Sequence, residues 1–335
     1  MRIALDAMGS DRAPAIEVEG AIGALQSLDL DFELVFVGDR DSIEAELERY
    51  PEAPRDRIDI VHAPDRIEMG ESPAQAIRRK PYSSIVVGLD LHKKGDVDAF
   101  ISAGSTGAVM AGSLVILRVL PGVDRPPVGA ILPTRHGHTL LLDAGANVDT
   151  RPHQLLQFAH LGTIYAHDLM GIENPRVGLL NIGEEPEKGD EYTVQAHKLL
   201  AESSLHFVGN IEGRDIIDHT CDVLVCDGFV GNVLLKFYES VATFVLQLLK
   251  KEMLKEEVQA AAESVNIRRV FEVLDYTEYG GAPLLGVEGV VIICHGGSPP
   301  KALTNAIRVA VQAVDQDMLS HMQSRVAKLT TSEAT

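Results

Sequence analysis

Short apolar runs that alternate with helical patterns are the feature that most constrains the fold of this 335-residue chain. Between several of these runs the apolar spacing is typical of helices, as at Ala15–Leu28 and Gln154–Leu169. Strands that alternate with helices indicate βαβ units, so we predict an α/β fold with a mostly parallel sheet. The predicted strands include Arg2–Leu5, Glu33–Val37, Ile58–His62, Ala99–Ser102, Thr139–Asp143, Val177–Asn181, Asp222–Cys226 and Val290–Cys294.

Small and polar residues follow six of these strands. In open parallel sheets, ligands bind beyond the carboxyl ends of the strands. One such segment is an ordinary turn, but six of them indicate a single polar cleft. The six segments are DAMGSD from Asp6, SAGSTGA from Ser102, DAGAN from Asp143, NIGEEPEKG from Asn181, CDGFVGN from Cys226 and CHGGSPP from Cys294.

The net charge of −19 limits the kinds of partner that the chain is expected to bind. A surplus of carboxylates repels nucleic acid, so we expect no nucleic-acid partner, and a phosphate ligand needs a locally positive site. Three cysteines without a CxxC pair fit free thiols in a reducing cytosol, so we expect a cytoplasmic protein. The uncharged stretch 99–117 is Gly/Ser/Thr-rich at its centre, which favours a strand, a loop and a helix over a membrane span.

The SAGSTGA segment has the composition of a strand-to-helix turn. Gly104 allows a tight turn, and Ser105 and Thr106 can cap the helix that follows. The N-terminus of a helix attracts anions, and Ser102 adds another hydroxyl group. Both a plain capped turn and an anion-binding loop are compatible with this pattern.

Two further segments carry groups that can bind an anion. Lys188 and Asn181 lie in the NIGEEPEKG segment, where an ammonium could hold phosphate or stabilise an oxyanion; a solvated charged loop is the alternative. Asp227 ends a strand, and Asn232 and Lys236 lie one turn apart on the same face of the next predicted helix. As an alternative, Asn232 only caps that helix.

Other motifs are limited in number. His295 lies in a Gly-rich segment after a buried strand, where it is either structural or close to a ligand. The sequence has no HExxH or zinc-type Cys/His spacing, no GxSxG elbow and no GxGxxG motif. We therefore predict no metal, no cofactor and no covalent serine mechanism.

Taken in order, the motifs resemble the bacterial acyl-[acyl-carrier-protein]:phosphate acyltransferases of phospholipid synthesis, the PlsX family. The resemblance extends from DAMGSDRAP at Asp6 to the His295 segment. Ser10 and Ser105 stand where the family often has Gly and Asn, which affects fine geometry more than activity. The other motifs are ESPAQAIRRKPYSS, SAGSTGA, LLDAGAN, GLLNIGEEPEKG, DGFVGN and DYTEYGGAPLLG.

The resemblance implies a three-layer α/β/α fold similar to isopropylmalate dehydrogenases and phosphotransacetylases, with a cleft between two lobes. Residues 1–330 would form one catalytic unit of two interleaved lobes, and residues 331–335 a disordered tail. The implied reaction moves a fatty acyl group from acyl carrier protein to inorganic phosphate, without a cofactor. The resemblance also implies a homodimer and weak association with the inner face of the membrane or with the downstream glycerol-3-phosphate acyltransferase.

Phosphate is already a competent nucleophile, so such an enzyme needs orientation and charge stabilisation more than a covalent intermediate. We assign catalysis to Lys188, Asn232, Asp227 and His295. Substrate binding is assigned to Asp6, Gly9, Ser102, Gly104, Ser105, Thr106, Asp143, Asn147, Asn181 and Lys236.

Two enzymatic alternatives and one non-enzymatic alternative remain at this stage. A phosphotransacetylase-like enzyme would use acyl-CoA, and a hydroxyacid dehydrogenase of this fold would need a nicotinamide cofactor and a metal. A scaffold without activity has no need of six polar strand ends.

Three surface features predict contacts with partners. Arg78–Lys80 and His92–Lys94 are basic clusters that could dock an acidic carrier protein or simply end helices in solvent. Phe237–Leu249 carries an apolar helical stripe that fits core or dimer packing. The amphipathic segment 258–273 could touch anionic lipid.

Overall fold

The computed structural model describes residues 1–253 and 276–332. The first part of the chain forms β1 (Arg2–Asp6), α1 (Ala15–Ser27), β2 (Glu33–Gly38), α2 (Arg40–Leu47), β3 (Ile58–His62), α3 (Pro73–Arg79), α4 (Ser84–Lys94), β4 (Ala99–Ser102) and α5 (Thr106–Gly112). A π-helical turn, Ser113–Leu117, extends α5. The predicted strand, loop and helix over 99–117 are therefore confirmed.

The remaining elements follow the same alternation. They are β5 (Gly129–Thr134), β6 (Gly137–Leu142), α6 (Pro152–Met170), β7 (Arg176–Leu180), α7 (Glu191–Glu202), β8 (His206–Ile211), β9 (Val223–Val225), α8 (Gly228–Met253), β10 (Ala282–Pro283), β11 (Val290–Ile293), α9 (Pro300–Asp315) and α10 (Met318–Ser332). Each strand named from the sequence overlaps an observed strand. Helix α10 includes residues 331 and 332 of the predicted tail, and residues 333–335 lie outside the described part.

The strands form two sheets instead of one. The first has the order β10-β11-β4-β1-β2-β3 and is parallel except at β10, and the second has the order β5-β6-β9-β7-β8 and is parallel except at β5. A bridge between Val128 and Leu284 connects the two sheets. The predicted, mostly parallel α/β fold is confirmed, and the strand ends of both sheets carry the polar segments.

The burial of the central strands explains why their sequences are continuous apolar runs. Residues of β1 and β4, such as Ile3 and Phe100, are fully buried because helices cover both faces of the first sheet. Helix α1 packs against α9 on one face, and α4 covers the other. A Cβ atom on Gly88 of α4 would lie 2.2 Å from Cε2 of Phe100, so only glycine permits this close approach of helix and strand.

Helix α8 differs from the other long helices because much of its apolar surface is exposed. Its segment Gly228–Leu249 is long and apolar enough to cross a membrane by length and composition alone, and only 11% of its apolar window is buried. The exposed side chains are Phe229, Val230, Val233, Phe237, Val241, Phe244 and Leu248. Segment 258–273, for which we predicted lipid contact, lies outside the described residues.

Candidate active site

Helix α8 separates two hollows that share no lining residue. A cavity of about 300 Å³ lies under one face of the helix, between β5, β10 and β11. An open groove of about 1130 Å³ lies along the other face, beside the ends of β7 and β9. The polar loops expected in a single cleft are therefore divided between two, because α8 begins at the end of β9 and runs between them.

The cavity collects four of the side chains that the sequence singled out. Thr106, Asn232, Lys236 and His295 all line it, although they come from positions far apart in the chain. Asn232 and Lys236 share one face of α8, as their spacing predicts. The hydroxyl of Thr106 and the amide of Asn232 make no hydrogen bond to any residue within 1–253 or 276–332, so both can bind a ligand.

The start of α8 is held tightly against the end of β6. Oδ1 of Asp227 accepts hydrogen bonds from the backbone N–H groups of Phe229 at 2.8 Å and Val230 at 3.0 Å, as an N-cap does. A Cβ atom on Gly231 would lie 1.9 Å from the carbonyl oxygen of Asp143. This close approach brings Asn232 beside the backbone of the loop that follows β6.

Asp143 and Asn147 hold that loop in place. The buried carboxylate of Asp143 accepts bonds from the N–H of Val128 at 2.9 Å, the N–H of Asn147 at 2.6 Å and its Nδ2 at 2.9 Å. Burial raises the pKa of Asp143, while these bonds oppose the rise. Both side chains therefore brace the wall of the cavity in this structure, and their predicted role in substrate binding stays a prediction.

Glu239 is a cavity residue that the sequence analysis did not identify. Nζ of Lys236 donates to Oε2 of Glu239 at 2.9 Å and to Nε2 of His295 at 3.3 Å. Burial alone would raise the pKa of Glu239, but its bonds with His295 and Lys236 hold it below the usual value. The spacing of Asn232, Lys236 and Glu239 along one helical face could have revealed it.

The loop after β4 is braced by groups from the loop after β1. Oγ of Ser102 donates to Oδ2 of Asp6 at 2.6 Å and accepts from the N–H of Gly104 at 3.0 Å. A Cβ atom on Gly9 would lie 2.6 Å from the backbone nitrogen of Gly104, so the two loops touch. Asp6 is fully buried, which raises its pKa.

The side chain of Ser105 has a capping role in this structure. Its Oγ accepts from the N–H of Ala108 at 3.4 Å, at the start of α5. Thr106, the next residue, is exposed and lines the cavity. The capped turn predicted for this segment is therefore present, and its hydroxyl group in the cavity comes from Thr106.

Asn181, Lys188 and Asp227 lie on the groove side of α8. Asn181 and Asp227 line the groove, and Nδ2 of Asn181 donates to the carbonyl oxygen of Lys188 at 2.9 Å. Lys188 is exposed and does not line the cavity. Among the described residues that line the cavity, Lys236 is the one lysine or arginine. The ammonium of Lys188, which we predicted to act with Asn232 on the phosphate or the oxyanion, therefore does not line the cavity beside Asn232.

Three carboxylates near β8 are close enough to hold a metal ion: Glu184, Glu212 and Asp215. The guanidinium of Arg214 pairs with each of them. Its single positive charge offsets only part of the three negative charges. The expectation that the chain needs no metal stays a prediction.

Comparisons with known proteins agree with one another. The family model described as "Fatty acid synthesis protein" matches residues 1–321. The phosphate acyltransferase of Heliobacterium modesticaldum is 51% identical over 329 residues, which cover 97% of this chain and 98% of that protein. A phosphotransacetylase from Streptococcus pyogenes has a similar structure, with a TM-score of 0.61, 17% identity and 94% of each chain covered. The 4-hydroxythreonine-4-phosphate dehydrogenase of Klebsiella pneumoniae gives a TM-score of 0.52 at 13% identity, covering 94% of this chain and 97% of that one.

Proposed function

The chain belongs to the phosphate acyltransferase family, and from this premise we propose that its substrates are inorganic phosphate and a fatty acyl thioester of acyl carrier protein. The observation that carries this proposal is the group of donors on one small cavity, namely the Thr106 hydroxyl, the Asn232 amide and the Lys236 ammonium. The product is an acyl phosphate for the synthesis of glycerophospholipids.

The atoms and charges of the reaction balance with the two substrates alone. An oxygen of hydrogen phosphate attacks the thioester carbonyl carbon, a C–O bond forms, and the carbonyl oxygen becomes an oxyanion. The C–S bond then breaks as the carbonyl re-forms, and the proton of the phosphate passes to the leaving thiolate. The protein contributes orientation and stabilisation of the oxyanion.

The cavity residues divide this work between them. We assign phosphate to the Thr106 hydroxyl and the Lys236 ammonium, because an anion needs a cation on this acidic chain. The amide N–H of Asn232 donates to the oxyanion, since its side chain has no partner among the described residues. His295 and Glu239 fix the position of the Lys236 ammonium.

Lys188 and Asp227 do not contact the substrates in the cavity under this proposal. Asp227 holds the start of α8 in position and acts through Asn232. Lys188 would have to reach the reacting atoms from the groove side of the helix.

The decisive experiment compares Asn232→Ala with Lys188→Ala in acyl-phosphate formation, with folding checked by circular dichroism. We expect Asn232→Ala to lower kcat by at least ~10²-fold, as the loss of an oxyanion donor does. We expect a smaller loss for Lys188→Ala. Near-normal kcat in Asn232→Ala would remove this residue from the mechanism.

The closest rival is an enzyme that uses acyl-CoA, as the fold of phosphotransacetylases would permit. At 17% identity, that likeness concerns the fold alone. Parallel assays with acyl carrier protein and CoA thioesters of the same fatty acid distinguish the two, because the proposal requires the higher kcat/KM for the carrier protein. A nicotinamide dehydrogenase is tested by the change in absorbance with nucleotide and substrate.

We also propose that the exposed face of α8 forms the interface of a homodimer. Phe237 and Phe244 are 67% and 60% exposed in the single chain, and large contiguous apolar patches are rare on monomers. Burial of such side chains would favour association. Light scattering on Phe237→Glu with Phe244→Glu tests the idea, since the doubly charged variant should be a monomer and the wild type a dimer.

For its location we propose the cytoplasm, with weak association at the inner face of the membrane or with the downstream glycerol-3-phosphate acyltransferase. The free cysteines Cys221, Cys226 and Cys294 support a reducing compartment. Cell fractionation followed by flotation with anionic liposomes tests this proposal. Recovery of the protein only in a detergent-requiring membrane fraction would contradict it.

A further inference from the structure

The cavity under α8 has more apolar wall than the chemistry at a thioester carbonyl requires. Its polar donors, Thr106, Asn232, Lys236 and His295, occupy only part of the lining. The rest is formed by hydrocarbon side chains from β5 and the residue before it, and from β11, α8 and α9, chiefly Val128, Ala130, Ile131, Leu235, Ile293 and Ala302.

This apolar wall is largely buried and carries no charge of its own. Val128, Ala130, Ile293 and Ala302 are each at most 7% exposed. The cavity volume of about 300 Å³ lies at the lower end of the range of roughly 300–1,000 Å³ found for small-molecule sites. A carbonyl and a phosphate ion fill only part of that space, so the remainder suits a flexible hydrocarbon.

We infer that this cavity is the binding site for the hydrocarbon chain of the acyl group, and that Leu235 and Ala302 set its length limit. The inference rests on the proposed function, since it assumes an acyl thioester substrate. With the carbonyl at Asn232, the chain runs past Leu235, the next cavity residue along α8. Each methylene buried there is expected to raise kcat/KM by ~4-fold until the space is filled.

The larger groove on the other face of α8 is the competing site. It has apolar walls as well, but none of Thr106, Asn232, Lys236 and His295 lines it. A chain in the groove would have to cross α8 to place its carbonyl at Asn232. The cavity needs no such crossing.

Adjacent leucines on α8 provide a matched test. Leu235 lines the cavity and Leu234 lines the groove, and both are half-buried on the same turn. Leu235→Phe and Leu234→Phe are assayed with phosphate and with butyryl, octanoyl, dodecanoyl and hexadecanoyl thioesters of pantetheine, so that docking of a carrier protein plays no part. Ala302→Leu narrows the cavity from α9.

We expect Leu235→Phe and Ala302→Leu each to lower the ratio of kcat/KM for the dodecanoyl thioester to that for the butyryl thioester by at least ~10-fold. Leu234→Phe should keep the wild-type ratio. If only Leu234→Phe shifts the ratio, the chain lies in the groove, and if the two cavity variants keep the ratio, the inference is wrong. Absence of acyl phosphate from the wild type with every thioester would instead refute the proposed function itself.

Discussion

Nζ of Lys236 donates a hydrogen bond to Nε2 of His295 at 3.3 Å, and the same ammonium pairs with Glu239 at 2.9 Å. Lys236 belongs to α8, and His295 lies in the segment that follows β11. The same Nε2 of His295 lies 3.6 Å from Oε1 of Glu239. The three side chains therefore form one cluster, which fixes the position of the cation.

Replacement of Glu239 tests whether this carboxylate acts through Lys236. Glu239→Gln removes an anion that orients the ammonium, and we expect kcat to fall by ~10-fold with KM for phosphate changed less. Combining it with Lys236→Met forms a double-mutant cycle. Once Lys236 is absent, Glu239→Gln should have little further effect, and a full additional loss would mean that Glu239 acts independently.

Glu17 should make stability depend on pH. Burial of this side chain on α1 raises its pKa from 4.5 to about 7, against bonds from the N–H of Ser10 at 2.7 Å and its Oγ at 3.0 Å. The unfolded chain loses the proton first, so the folded state is stabilised below the unfolded pKa and loses that stabilisation as pH rises towards 7.

The measurement compares free energies of unfolding of wild type and Glu17→Gln by urea titration across this pH range. We expect the wild type to lose about 3 kcal/mol relative to Glu17→Gln between pH 4.5 and about 7. Glutamine keeps an acceptor for the Ser10 N–H and has no charge. Parallel pH profiles of the two proteins would contradict the prediction.

Gly231→Ala should lower both stability and activity. The new Cβ would meet the carbonyl oxygen of Asp143, so α8 has to shift, at a cost of about 1–3 kcal/mol, and Asn232 moves with it. Gly213→Ala is the control, since its Cβ would meet no atom within 4 Å. Thermal unfolding and acyl-phosphate assays measure the two effects, and equal behaviour of the two variants would refute the packing argument.

The structure distinguishes the two basic clusters. Lys93 pairs with Glu288, Lys94 pairs with Asp90, and His92 accepts from the N–H of Val290, so the second cluster is engaged within the protein. Arg78 and Arg79 are exposed and form no ion pair within the described part of the chain. They are the better candidates for docking an acidic carrier protein.

Charge reversal should therefore act at one cluster and not at the other. We expect Arg78→Glu with Arg79→Glu to raise KM for the carrier-protein thioester by at least ~5-fold at low ionic strength. Lys94→Glu, the control, should have little effect, and KM for a pantetheine thioester should be unchanged in both. A donor KM that is insensitive to the Arg78 and Arg79 reversals at low salt would rule out docking there.

Much of the fold follows from local sequence. The predicted run Ala99–Ser102 coincides with β4, because a strand that helices cover on both faces is buried throughout. The predicted run Ile58–His62 coincides with β3, an edge strand in which Asp59 and His62 are exposed and the three aliphatic residues are half-buried. The capped turn at Ser105 and the common face of Asn232 and Lys236 were also predicted, since capping and helical spacing depend on residues a few positions apart.

Only the tertiary structure decided which polar residues line the same cavity. Asn232 and Asn181 both lie near strand ends, but α8 runs between the cavity and the groove and separates them. Glu239 gained a role because His295, 56 positions further along the chain, packs beside it. The sequence by itself determined the strands, the helices and the chemical groups at their ends, because these depend on neighbouring residues. The path of α8 was decided by the tertiary structure, because it depends on contacts such as that of Gly231 with Asp143, which no local pattern encodes.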